Sequence, residues 1–306
     1  MGAVRYVAAA LALFAAALVP AAQGDDRVAY AVPANAADPG VSRFLGPNLV
    51  LFDRAASPQS PLLVFLPGTG GHPAGVRLFL GVAADAGYRV IGLQYDNEPA
   101  AMQQCFRSSD PACTAVFRQS RLLGGPAPPS ETPPDEAIVE RLIRLLQFLA
   151  GNHPDEGWNR YLANGVPDWR RIAVAGHSQG GGMAAFLAKR VSLARVLLFS
   201  GPPDYIQRSQ EPAPWLKEPS ATPLEHWFGL YHRDESLAPP LQRAYAALGL
   251  AADHIRVLSL APAGMASGPF DAFHGSVIGD RLTPRAADGT PAYAADWEFL
   301  LGRPRR

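Results

Sequence analysis

The 306-residue chain has little cysteine, no excess charge of either sign and no spaced cluster of histidines and cysteines. Its 27 basic residues balance its 27 acidic residues, and no basic block is present. We therefore expect no nucleic-acid partner and no charge-driven binding to an anionic membrane. The histidines and cysteines lack the spacing of zinc ligands, so we predict no metal site and no cofactor.

The chain also lacks a long membrane-spanning run after its N-terminus. Near the start, Arg5 precedes an apolar stretch over 7–19, and Ala22-Gln23-Gly24 offers small residues at the first and third positions. This pattern is typical of a signal peptide, and the apolar stretch falls short of the roughly 20 residues that span a bilayer. We predict that residues 1–24 are removed and that the protein is secreted or periplasmic, without a stable membrane anchor.

Only two cysteines are present, Cys105 and Cys113. In an exported protein they can persist as a disulfide that closes a small loop. Loop entropy predicts a stabilisation of about 2.5 kcal/mol from such a bridge, mostly through the unfolded state.

Apolar segments bounded by Gly and Pro alternate with segments of helical periodicity along the chain. Strands are predicted over 49–52, 61–66, 88–93, 171–175, 195–199, 226–231 and 254–260, and helices over 76–86, 135–150, 180–190, 237–248 and 294–300. The alternation predicts an α/β fold, with a mainly parallel sheet covered by helices on both faces. We expect one domain over 25–306, with irregular insertions at about 94–134 and 201–223 that shape a cleft.

The pattern Gly-x-Ser-x-Gly occurs from Gly176 to Gly180, with Ser178 at its centre. An apolar strand leads into it and a helix rich in small residues leaves it. This is the setting in which a strained turn lifts a serine hydroxyl above the sheet. A Cβ at either glycine would collide with neighbouring backbone in so tight a turn. We predict that Ser178 is a nucleophile.

A serine nucleophile needs a base, and His274 is the histidine that follows the last predicted strand, between Phe273 and Gly275. The imidazole in turn needs an acid. Asp234 is the preferred residue because it follows the strand over 226–231, at the edge where open α/β sheets bind ligands. Asp204 is an alternative, and Asp271 is a third candidate.

The oxyanion of a tetrahedral intermediate needs hydrogen-bond donors. The backbone N–H of Gln179 begins the helix after the serine, and we expect a second donor in the glycine loop at 67–71, the N–H of Thr69. This loop lacks the Gly-Lys-Ser/Thr of a phosphate-binding loop and the glycine spacing of a dinucleotide site.

The chain resembles α/β-hydrolase-fold proteins in three features. They are the loop Leu66-Pro67-Gly68-Thr69-Gly70-Gly71, the turn Gly176-His177-Ser178-Gln179-Gly180-Gly181, and the order Ser178, Asp234, His274. The resemblance covers about residues 45–300, and the turn is similar to those of cutinase-like and polyester-hydrolase-like members. It implies a nucleophile at Ser178, a base at His274, an acid at Asp234 and oxyanion donors at Thr69 and Gln179.

These features predict a serine hydrolase that cleaves carboxylic esters, acting on a small-molecule or polymeric ester. A neutral chain with apolar cleft walls suits an uncharged substrate. Two alternatives remain open: an amidase, peptidase or thioesterase with the same triad, and a catalytically silent hydrolase fold that binds a ligand.

Overall fold

A computed structural model describes residues 27–57, 59–264 and 271–302 of the chain. The signal peptide predicted over residues 1–24 lies outside these residues. Within these ranges, no helix combines the length and the apolar character needed to cross a bilayer.

The described ranges contain twelve strands and nine α-helices. The strands are β1 (Arg27–Pro33), β2 (Pro47–Asp53), β3 (Leu62–Leu66), β4 (Arg89–Gly92), β5 (Gly125–Ala127), β6 (Ser130–Thr132), β7 (Leu162–Ala163), β8 (Val166–Pro167), β9 (Ile172–His177), β10 (Arg195–Phe199), β11 (Trp227–His232) and β12 (Ile255–Leu258). The helices are α1 (Ala34–Ala37), α2 (Arg77–Asp85), α3 (Ala101–Cys105), α4 (Cys113–Leu123), α5 (Ile138–Asn152), α6 (Gln179–Ala188), α7 (Ala238–Leu248), α8 (Ala272–Ser276) and α9 (Ala294–Leu301).

Eight strands form one sheet in the order β1-β2-β4-β3-β9-β10-β11-β12. β2 pairs antiparallel with both β1 and β4, whereas the pairs from β4 through β12 are parallel. A parallel sheet with one antiparallel excursion near its edge, and a serine turn between a central strand and a helix, is the α/β-hydrolase fold. The predicted fold class is confirmed.

The sheet is buried on both faces, and its central strands show why. On β3, Leu62, Val64 and Leu66 pack into the core cluster under α5, α6 and α7, whereas Leu63 and Phe65 pack into a second cluster with α2 and α9. A strand that is covered on both sides can be apolar at every position, and this explains the uninterrupted apolar segment of the sequence.

The first insertion is more regular than predicted. Between residues 94 and 134 it contains α3, α4 and the β5–β6 hairpin, and a disulfide joins Cys105 at the end of α3 to Cys113 at the start of α4. The predicted disulfide is therefore present. The segment is helical because buried side chains of α4, among them Phe117 and Arg118, pack on the rest of the domain.

The second insertion places its tryptophan inside the protein. Trp215 is 1% exposed and packs edge-on against Phe186 of α6, with ring centroids 5.2 Å apart. Trp215 therefore belongs to the core and cannot form an open wall of a cleft.

Candidate active site

Ser178 lies in the turn that joins β9 to α6, and its backbone is strained. Its φ is +52° and its ψ is −111°, a region that costs a non-glycine residue about 1–3 kcal/mol. The turn is possible because its glycines leave room: a Cβ at Gly180 would lie 1.9 Å from the carbonyl oxygen of Leu66, and one at Gly176 would lie 2.2 Å from the backbone of Gly180. The predicted need for glycine at both positions is confirmed.

The structure places His274 beside this turn, on the short helix α8. The rings of His274 and His177 lie 4.7 Å apart, and Nε2 of His177 donates to the backbone carbonyl of His274 at 3.0 Å. His177 directly precedes Ser178, so this contact brings the helix that carries one candidate residue to the turn that carries the other.

The carboxylate that pairs with His274 is Glu235, which the sequence reasoning missed. Oε2 of Glu235 lies 2.5 Å from Nδ1 of His274, and the two residues are 3% and 7% exposed. The other oxygen, Oε1, accepts the hydroxyl of Ser200 at 2.8 Å and the backbone N–H of His232 at 3.0 Å. Both carboxylate oxygens are thus held by partners, as a buried charge requires.

The choice of Asp234 as the partner of His274 is corrected by this geometry. β11 continues to His232, one residue beyond its predicted end, and Nδ1 of His232 accepts the N–H of Asp234. The turn directs the carboxylate of Asp234 outward, where its side chain is 49% exposed and lies 3.4 Å from Nε of Arg233. Glu235 then returns to the interior. A usable signal was present, since an acidic residue follows Asp234 directly and glutamate serves as the acid in some triads.

Asp204, the first alternative, has a different partner. Its carboxylate accepts Nε of Arg118 at 2.7 Å, Nη2 of Arg118 at 2.5 Å and the indole N–H of Trp215 at 3.0 Å. Asp204 and Arg118 are each 1% exposed. This buried ion pair joins the two insertions to each other.

Asp271, the remaining candidate, contacts the backbone of α8. Oδ1 of Asp271 accepts the N–H groups of Phe273 and His274 at 3.0 and 3.2 Å. It therefore caps the helix that carries His274.

The glycine loop after β3 lies against the serine turn. A Cβ at Gly68 would be 3.3 Å from the Cβ of Ser178, so the loop needs glycine to approach this closely. Asn97 holds the loop in place, because its side chain accepts the N–H of Gly70 at 3.1 Å and donates to the carbonyl of Gly71 at 2.8 Å.

The two N–H groups expected to bind an oxyanion belong to the glycine loop after β3 and to the first residue of α6. Among residues 27–57, 59–264 and 271–302, neither the N–H of Thr69 nor that of Gln179 donates to an acceptor. The side chain of Gln179 is tied to the first insertion, since its Oε1 accepts the N–H of Ala101 at 3.1 Å. The insertion therefore helps to orient the first turn of α6.

His177 is held as a neutral imidazole. Removal from solvent and, to a smaller extent, the neighbouring His274 together lower the pKa of His177 to about 3. Because a carbonyl oxygen can only accept, the contact with the carbonyl of His274 requires the proton on Nε2. In the part of the chain that the structure describes, no group of three His, Cys, Asp or Glu side chains is placed to hold a metal ion.

The sequence matches no protein-family model and no curated protein. Its fold is similar to those of solved esterases. An esterase from the bacterial hormone-sensitive lipase family is 19% identical, with 91% of this chain and 85% of that chain covered and a TM-score of 0.44. A bacterial heroin esterase is 15% identical, with 90% and 84% covered and a TM-score of 0.45. These low values leave the function to be inferred from the side chains of this chain.

Proposed function

We propose that the protein is a serine hydrolase of carboxylic esters, with Ser178 as nucleophile, His274 as base and Glu235 as acid. The observation that carries the proposal is the buried hydrogen bond between Nδ1 of His274 and Glu235, next to a strained serine turn. Nδ1 is occupied by the carboxylate, so Nε2 is the ring nitrogen that exchanges protons with the serine hydroxyl.

In the first half of the reaction, Oγ of Ser178 attacks the ester carbonyl while Nε2 of His274 takes the hydroxyl proton. The carbonyl oxygen becomes an oxyanion, which the N–H groups of Thr69 and Gln179 stabilise. Glu235 stabilises the imidazolium. The intermediate then expels the alcohol, which receives the proton from Nε2, and an acyl group remains on Ser178.

In the second half, a water molecule gives a proton to Nε2 and attacks the acyl carbonyl. The resulting intermediate releases the carboxylic acid, and the proton returns to Oγ of Ser178. The cycle consumes one water molecule and needs no cofactor.

The remaining predictions about this site belong to the same proposal. The substrate is an uncharged small-molecule or polymeric ester, because the chain has no net charge to select an ionic one. One domain over 25–306 carries the site, and its insertions at 94–134 and 201–223 shape the cleft. Secretion or a periplasmic location is supported by the disulfide, since such bonds persist in oxidising compartments.

Labelling with a fluorophosphonate probe tests the proposal. Wild-type protein should form one adduct, on Ser178, and Ser178→Ala should form none and lose about 10⁶-fold in kcat on p-nitrophenyl esters. Folded wild-type protein without an adduct would contradict the enzyme proposal and favour a silent binding protein. Amide or thioester analogues that turn over as fast as the esters would move the reaction to those classes.

A further inference from the structure

Asp271 connects the turn that carries Glu235 to the helix α8, which carries His274. Its Oδ1 accepts the N–H groups of Phe273 and His274 at the start of α8, and its Oδ2 accepts the N–H of Ser236 at 2.6 Å. Ser236 directly follows Glu235. One half-buried carboxylate therefore binds backbone on both sides of the acid–base pair.

The turn that carries Glu235 is fixed at three consecutive residues. The N–H of Asp234 donates to Nδ1 of His232 at 3.1 Å, and the N–H of Glu235 donates to the carbonyl of His232 at 3.2 Å. His232 holds these two donors from the strand side, whereas Asp271 holds the third, at Ser236, from the histidine side. The hydrogen bond from Ser236 to Asp271 thus fixes the position of the turn relative to α8.

We propose that Asp271 is a positioning residue that sets the separation between the carboxylate of Glu235 and the imidazole of His274. The inference rests on the proposed function, because the separation matters only if this pair performs the chemistry. A displacement of about 1 Å in a catalytic group can cost about 10²-fold in rate. Without the carboxylate, α8 and the turn would lose a shared attachment point.

Asp271 has the charge that this role needs. Although burial alone raises the pKa of Asp271, the N–H of Ser236 and the neighbouring His274 hold it below its usual value. The group stays ionised through the working pH range. Its negative charge favours the protonated imidazole, together with Glu235, whereas the neutral His177 contributes no charge.

Three variants test the inference. Asp271→Asn places an amide NH₂ against a backbone N–H and removes the charge, so kcat should fall about 10- to 100-fold with KM within about twofold. The acid limb of kcat/KM should also move to lower pH, on the order of half a pH unit, because the charge that favours the imidazolium is gone. Asp271→Glu keeps the charge but misplaces the oxygens, so it should lose kcat and retain the wild-type acid limb.

Asp288→Asn is the matched control. Asp288 also binds the backbone of its own loop, accepting the N–H of Thr290 at 2.9 Å, but it is exposed and its carboxylate also accepts the hydroxyl of Thr290 in the same loop. It should keep the wild-type kcat and pH profile.

Wild-type kcat and acid limb in Asp271→Asn would overturn the inference. So would equal acid limbs in Asp271→Asn and Asp271→Glu, because the effect would then reflect general structure. Thermal unfolding of each variant shows which ones are folded in the assay, and the Glu variant provides the readout if the Asn variant is unfolded. Probe labelling separates the two proposals: an unlabelled wild-type Ser178 contradicts the function, whereas a labelled one with an unaffected Asp271→Asn contradicts only the positioning role.

Discussion

Asp204 and Glu235 are both buried carboxylates that follow neighbouring strands of one sheet, β10 and β11, but they have different partners. Asp204 binds the guanidinium of Arg118 through both oxygens, whereas Glu235 binds an imidazole through one oxygen. The guanidinium is charged at every working pH, so its pair with Asp204 is static. The imidazole can gain and lose a proton. Burial and position at the sheet edge are therefore shared by a structural carboxylate and a proposed catalytic one, and the partner distinguishes them.

The largest expected effect that separates the two carboxylates is on turnover. Glu235→Gln removes the charge that stabilises the imidazolium and weakens control of its tautomer, so kcat should fall about 10³- to 10⁴-fold. Asp204→Asn should retain most of the activity in its folded molecules. Steady-state kinetics with p-nitrophenyl esters, scaled to the probe-labelled fraction, measure both. A greater loss in Asp204→Asn than in Glu235→Gln would reverse the assignment.

Stability should show the opposite ranking, with a larger loss in Asp204→Asn than in Glu235→Gln. Asp204→Asn leaves the guanidinium of Arg118 buried without a compensating charge, which should lower the free energy of unfolding by about 3–5 kcal/mol. Denaturant titration measures the loss.

Adding Arg118→Met to Asp204→Asn is the control, because it removes the uncompensated charge and should recover part of the stability. The same stability in the double and single variants would mean that the ion pair is not the source of the effect.

The contrast also shows which parts of the site the sequence could predict. The positions of Ser178 and His274 could be proposed from local patterns, which are a strand, a glycine turn and a helix for the serine and the loop after the last strand for the histidine, and the structure places His274 against His177, the residue before Ser178. Glu235 was missed because its direction depends on the turn after β11. The buried ring of His232 binds the backbone of Asp234, and this interaction sends Asp234 outward and Glu235 inward.

The central sheet was also predictable from local patterns, whereas the secondary structure inside the insertions was not. The strands of the central sheet are continuous apolar segments, so their sequences identify them. The helix α4 instead depends on distant partners: the guanidinium of Arg118 pairs with Asp204, 86 residues away, and lies where a Cβ at Gly182 would be. Such non-local contacts leave no periodic signal in the sequence.

His177 and His274 are neighbouring imidazoles with different roles, since the first is held neutral and the second is the proposed base. The stability of the protein at acid pH tests the neutral state of His177. The pKa of His177 is lowered from 6.5 to about 3, chiefly by removal from solvent and also by the neighbouring His274. Between these values the unfolded chain binds the proton and the folded chain does not, so stability should decline as pH falls from 6.5 towards 3.

His177→Gln keeps a donor for the carbonyl of His274 and cannot titrate. It should flatten the pH dependence of the unfolding free energy in this window, by at most about 1.4 kcal/mol per pH unit. Denaturant titrations at pH 4, 5 and 6.5 measure the slope, with His254→Gln as a control on another histidine. An unchanged slope would show that His177 already carries a proton in the folded protein.

The smallest expected effect is at Asp234, one residue from the proposed acid. Its side chain is about half exposed, and its ion pair with Arg233 lies at the surface, where such pairs contribute about 0–1 kcal/mol. Asp234→Asn should therefore keep kcat and KM within about twofold, because the backbone N–H that binds His232 is unchanged. Steady-state kinetics of Asp234→Asn and Glu235→Gln with the same esters compare two adjacent carboxylates, one directed outward and one directed inward. If Asp234→Asn lost activity as severely as Glu235→Gln, the charge of the turn as a whole, rather than the bond from Glu235 to His274, would support the reaction.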